Sequence, residues 1–155
     1  MGDDKRVLTI DLTMSHISVL TNFSDEPGLR HCDISDQSGE AFYHLVLNPA
    51  FGECYNKGEL LTIDLDNTAG YASSFLDEAF GNLVYDFGLN EIKNKVKIIS
   101  TQEPHWKEMI EGQSYIQWED RRKKGLKPKV TKLHDPWYRL ISGKLTKQQW
   151  EQPSA

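Results

Sequence analysis

Two short apolar runs separated by a long amphipathic one limit what this chain can fold into. "ELLTIDL" at 59–65 is mostly aliphatic, as expected for a strand covered on both faces. "KVKIIS" at 95–100 reads the same way. Between them Phe75, Leu76, Ala79, Phe80, Leu83, Val84 and Phe87 recur at helical spacing, and Gly88 stands where a helix end favours a positive φ. Strand, helix and strand in this order argue a layered α/β architecture.

The flanking segments extend the pattern. "VLTIDL" (7–12) and "HISVLTNF" (16–23) read as two strands joined by a turn around Thr13–Ser15, too close for a crossover, so the expected sheet is mixed. The Pro, Gly, Asp and Ser of "SDEPGLRHCDISDQ" mark a loop. Ala41, Phe42, Leu45 and Val46 share a helical face, Pro49 is expected to kink or restart that helix, and Gly58 closes it. Pro104 suits a first helical turn, and Trp106, Met109, Ile110 and Ile116 supply an apolar face interrupted by Gly112. The last helix is expected near the C-terminal end, capped by Thr146.

Charge divides the chain. Residues 1–120 carry 8 Lys/Arg against 21 Asp/Glu, and residues 121–155 carry 10 against 2, within a net charge of -5. The expected organisation is an α/β domain over 1–124 and a basic, Trp-containing extension over 125–155, separable from folding. All four tryptophans (Trp106, Trp118, Trp137, Trp150) lie in the last third, which argues that this end docks on the acidic body or on a partner. Two cysteines are too few for a disulfide framework, so reduced thiols are expected. "MGDDKRVLTIDL" has no apolar stretch of signal or membrane-spanning length, which reads as a soluble, cytoplasmic protein without membrane contact.

The junction "GYASSFLDEAFG" at 70–81 is the densest candidate for chemistry. A phosphate loop needs a Lys before its Ser/Thr, and a hydrolase elbow needs small residues on both sides of the serine; neither is present. Ser74 fits a helix N-cap, with Asp77 and Glu78 complementing the helix dipole, and an anion or phosphate site is the alternative. A phosphate there would meet repulsion from Asp64, Asp66 and Asp77. The five histidines show no ligand spacing, and neighbours such as His31 and Cys32 rarely point at one another, so no metal, cofactor or catalytic set is expected. The basic run within 121–132 could neutralise nucleic-acid phosphates while Trp137, Tyr138 and Trp150 stack on bases, although such runs are more often solvated surface.

"LLTIDLDNTAGYASSFLDEAFGNLVYDFG" resembles the signature of the bacterial STAS-like domain family of unknown function, over roughly residues 6–124 in element order and most specifically over 60–88. The resemblance implies a STAS-like sandwich, a mixed β-sheet covered by helices. By likeness to anti-sigma-factor antagonists it further implies a non-enzymatic regulatory module that binds a histidine-kinase-type ATPase or another regulator and switches partners. Aligned on the paired serines, Ser73 takes the phosphoacceptor position with Ser74 beside it, while Ala72 and Phe75 replace the Asp and Gly of the antagonist pattern. The implied partner-binding surface comprises Asp66, Tyr71, Ser73, Ser74, Asp77 and Glu78. The alternatives are a small enzyme using Ser73 or the His31/Cys32 cluster, and a nucleic-acid adaptor acting through 121–132.

Overall fold

The computed structural model describes residues 14–153, beginning with strand β1 (Met14–Ser18). The sequence reads as extended to residue 23, but Ser18 ends the strand. Its Oγ accepts from the Thr21 amide and caps α1 (Val19–Asn22), while Asn22 Oδ1 accepts from the Ser18 amide. The expected strand at 7–12, and with it the hairpin, lies outside the described residues.

After the loop, the helix α2 (Gly39–Phe42) is capped by Ser38, whose Oγ accepts from the Ala41 amide. It runs into a π-helical turn (Tyr43–Leu47) and then α3 (Asn48–Lys57), with Pro49 in the first turn of α3. Pro49 has no N–H to offer the preceding turn, and the chain widens just before it, so that the Asn48 amide reaches the Tyr43 carbonyl. The widening changes the phase of the apolar face. Tyr43, Leu47, Phe51 and Cys54 are buried, whereas Leu45, expected inside, is 68% exposed.

Strand β2 (Leu60–Asp64) follows Gly58, whose φ of 72° ends α3 in the left-handed region. Then come α4 (Ser73–Phe87), α5 (Leu89–Lys95) and β3 (Val96–Ile99). Gly88 does take a positive φ at the end of α4. The three strands order β1-β2-β3, all parallel, with Ile63 opposite both Ile17 and Ile98. Central β2 buries Leu61 and Ile63 completely and Thr62 nearly so, as its apolar run requires. Among the described residues this sheet is parallel; the antiparallel member expected of a mixed sheet would be 7–12, outside them.

Helix α6 (His105–Met109), a second π-helical turn (Ile110–Ser114) and α7 (Tyr115–Lys124) form one continuous rod. Here too the phase changes: Tyr115 and Trp118 are buried and Ile116 is 58% exposed, contrary to the expected face. α7 packs along α4 because Gly81 has no side chain; a Cβ there would lie 2.1 Å from the Trp118 indole.

The C-terminal end contains no helix among the described residues. Strands β4 (Trp137–Ile141) and β5 (Lys144–Gln148) form an antiparallel hairpin, and Thr146 lies within β5 instead of capping a helix. Its two-residue turn places both Ser142 (φ 52°) and Gly143 (φ 76°) at positive φ, the backbone that matches strand twist in a tight hairpin. β4 packs on α3 and α4, and Trp137, 4% exposed, belongs to the main core cluster. Asn48 fixes the hairpin by accepting from the Tyr138 amide and donating to the Tyr138 carbonyl. The compositional break at 124/125 is therefore not an edge of the packed body.

Candidate functional site

Helix α4 begins at Ser73, with Ala72 as N-cap and no side chain closing the cap. Ser74 is thus the second helical residue, and the expected cap at Ser74 is corrected by one turn geometry: Ala72, in extended conformation, already occupies that position. Ser73 is exposed and Ser74 half-buried. Ser73 borders a cavity of about 210 Å³ whose wall includes Arg30, Asp77, Met109, Gln113 and Gln117. The second π-helical turn supplies Gln113, and the loop before α2 supplies Arg30.

Arg30 changes the electrostatics expected from the sequence. Its guanidinium lies 2.8 Å from Asp77 and 3.1 Å from Glu78. Burial opposes ionisation of Asp77, but hydrogen bonds from Arg30, Ser114 and Trp118 outweigh it and hold the carboxyl below its ordinary range. Burial likewise works against the Arg30 charge, and the two carboxylates overcome it. Glu78 is only 2% exposed and also accepts from Asn82, so it braces the site from beneath and is not part of a surface. His31 Nε2 stands 3.5 Å from Glu78 without hydrogen-bond geometry.

Asp66 and Tyr71 are anchored too. Asp66 accepts from the amides of Thr101 and Gln102 and from the Thr101 hydroxyl, which lowers its pKa and ties the turn after β2 to the loop after β3. Asn67, at φ 73°, exchanges hydrogen bonds with Gln102. The Tyr71 hydroxyl donates to the Leu65 carbonyl at 2.7 Å, its ring lies against Phe75 and Trp106, and burial raises its pKa. The structure thus brings Ser73, Asp77 and Arg30 to one cavity, and leaves Asp66 and Tyr71 in the loop leading to it.

A second cluster was invisible to spacing. Glu40, fully buried in α2, accepts from the Cys32 amide, the Thr131 amide and hydroxyl, and His134 Nε2 at 2.7 Å. Burial works against its charge, but these bonds hold its pKa far below the ordinary value. The His44 ring stacks on His134 with centroids 3.7 Å apart. Burial, then the facing His134, push His44 down to about 3. The neighbours His31 and Cys32 are divided between the two clusters: Cys32 Sγ lies 3.3 Å from the Ser38 hydroxyl. Sequence reasoning missed Arg30, Glu40 and His134, because the pairs Arg30–Asp77 and Glu40–His134 join residues 47 and 94 positions apart.

The element that carries Ser73 lies within the part of the chain that a family model matches. Residues 38–106, from the cap of α2 to the start of α6, match the model of the STAS-like domain of unknown function (DUF4325). This segment is a STAS-like domain. No curated protein and no solved structure matches the chain significantly. The STAS-like segment contains β2, β3 and all of α4, hence Ser73 and both acidic partners of Arg30, whereas Arg30, β1, most of the α6–α7 rod and the C-terminal hairpin lie outside the match. Around the STAS-like segment no helix among the described residues is long and apolar enough to cross a membrane.

Proposed function

We propose that the protein is a non-enzymatic regulatory module that binds a partner protein through the start of α4, with a histidine-kinase-type ATPase as the partner class and Ser73 as the phosphoacceptor. The observation that carries this reading is the exposed Ser73 in the first turn of α4, directly after the central strand of a STAS-like domain and beside a polar cavity. A phosphate on Ser73 gains from the helix N-terminus and from Arg30 across the cavity, and it competes with Asp77 for that guanidinium. Ser74, the alternative acceptor, is half-buried and less accessible to a kinase.

The basic segment supports a second reading, a nucleic-acid adaptor, because Lys123, Lys124, Lys127, Lys129 and Lys132 are all exposed. Among the described residues the three expected stacking side chains are already engaged, Tyr138 by Gly52 on its ring and by Lys147 at 4.9 Å from its centroid. Trp137 is buried, and Trp150 is occupied by Arg139 at 4.7 Å from its ring and by a hydrogen bond to the Trp137 carbonyl. Protein recognition is the better supported of the two.

Titration calorimetry of the full chain with a histidine-kinase-type ATPase from the same cell tests the proposal. Binding that weakens about tenfold or more in Ser73→Asp and changes little in Ser73→Ala is expected. Equal affinity for all three chains removes the α4 surface from recognition. Substrate turnover abolished by Ser73→Ala would make it an enzyme instead.

A further inference from the structure

Cys32, Glu40 and His134 come from a loop, a helix and the C-terminal segment, yet one sulfur, one oxygen and one nitrogen from them all lie within 4.8 Å of one another. We propose that these three side chains form a binding site for a borderline-soft divalent cation, zinc first among them, which clips the C-terminal segment to the loop before α2. This does not rest on the partner-binding reading.

Thiolate, imidazole and carboxylate are the donors zinc takes, and three protein ligands leave a fourth position for water. Zinc bonds of about 2.0–2.3 Å set tetrahedral ligand atoms roughly 3.3–3.7 Å apart, so the cluster closes by about 1 Å at its widest. The 2.7 Å contact between His134 Nε2 and Glu40 Oε2 opens slightly, as the metal replaces the proton between them. The other bonds to Glu40, from Cys32 N and from the Thr131 amide and hydroxyl, remain and orient the carboxylate, which is the supporting shell such ligands require.

The thiol is what a simple hydrogen-bonded clasp would not need. Glu40 is held by the Cys32 amide, while Cys32 Sγ is placed beside the Glu40–His134 pair, 3.3 Å from the Ser38 hydroxyl. Burial first, and then the Glu40 charge, raise the thiol pKa, with Lys132 and the Ser38 hydroxyl working the other way; a divalent cation would reverse the balance. On binding, the Cys32 S–H bond breaks, a sulfur–metal bond forms and the thiol proton leaves to water, while at His134 a nitrogen–metal bond replaces the Nε2–H bond, whose proton passes to water as one is taken up on Nδ1, so that the ring stays neutral. Two anionic ligands then neutralise the cation. Cys32 is half-buried and gives the ion a way in, and the stacked His44, held neutral, closes one side of His134 without adding charge.

The test is a cobalt(II) titration of the full chain after removal of metals by chelator. One equivalent should produce a thiolate-to-cobalt charge-transfer band in the near ultraviolet and strong tetrahedral bands in the visible, both bleached by one equivalent of zinc. Cys32→Ser should abolish the charge-transfer band, and Thr131→Val should weaken binding about 10- to 100-fold. Cys54→Ser should leave the spectrum unchanged. Thermal midpoints in chelator confirm that the variants are folded. Absence of the charge-transfer band at one equivalent, a band that follows Cys54, or an affinity indifferent to Cys32→Ser would each overturn the proposal.

Discussion

Arg139 Nε lies 2.8 Å from Asp86 Oδ1, joining the C-terminal hairpin to the last turn of α4 across 53 positions of sequence. Asp86 is buried, also accepts from the Tyr43 hydroxyl, and sits among groups that offer no other full positive charge within hydrogen-bond reach in the described residues. Each end of the pair is fixed by a different layer of the fold, so the hairpin is held by chemistry as well as by the burial of Trp137.

Arg139→Met should cost about 3–5 kcal/mol, because it leaves a buried carboxylate without its cation. Urea unfolding measures this. Adding Asp86→Asn should restore part of the loss, and a chain ending at Lys124 should lose cooperative unfolding altogether. A fully cooperative transition in the truncated chain would show that the hairpin is dispensable.

Gly81→Ala should destabilise by about 1–3 kcal/mol, since its new methyl group would meet the Trp118 indole, which is held by a hydrogen bond from its Nε1 to Asp77. Gly112→Ala, which meets nothing within 4 Å, should be neutral or stabilising by up to about 1 kcal/mol. Thermal denaturation of the two variants should separate them in opposite directions.

Ser73→Ala and Ser74→Ala should each change stability by only a few tenths of a kcal/mol, as neither side chain caps α4. Ser38→Ala, which removes the hydroxyl that accepts from the Ala41 amide, should cost about 1 kcal/mol. Chemical denaturation midpoints of the three variants decide the assignment.

Stability should fall on acidification from about pH 6.5 downward because of His44. The unfolded chain protonates His44 near its ordinary 6.5, but the folded chain does so only at about 3, so below pH 6.5 each unit of pH favours the unfolded state by about 1.4 kcal/mol. Glu40 adds its own loss only below its ordinary 4.5, because its folded pKa is depressed. Unfolding free energies between pH 6.5 and 4.5 should therefore slope in the wild type and lie flatter in His44→Leu.

The central strands and α4 were legible because burial on both faces of β2 leaves a nearly uniform apolar run, and because one uninterrupted helix keeps a single period. Leu45 and Ile116 were misplaced because a π-helical turn precedes or contains each, and simple periodicity carries no mark of the extra residue. The hairpin carries a partial signal: the turn dipeptide Ser142–Gly143 separates two short runs and Gly143 accepts a positive φ readily, whereas the positive φ of Ser142 is not announced by its residue type. At the site, the start of α4 near the paired serines was legible from the helical period that follows it, although Ala72 takes the cap expected at Ser74. The neutralisation of Asp77 and Glu78 was not legible, since Arg30 comes from a loop whose path no local pattern dictates.

The two π-helical turns make the chain unequally tolerant of change. Each accommodates one residue more than an α-helix needs for the same rotation, so the helix beyond it presents the face it would have in a regular helix one residue shorter. Deleting a single residue from 43–47 or 110–114 would therefore leave Asn48 and Gly52 facing Tyr138, and Trp118 facing Gly81, whereas a length change within the regular turns that follow would rotate what lies beyond it by about 100°. Single-residue length changes in variants of this chain should therefore collect in these two pentapeptides and in the loops, and avoid the α-helical turns after them.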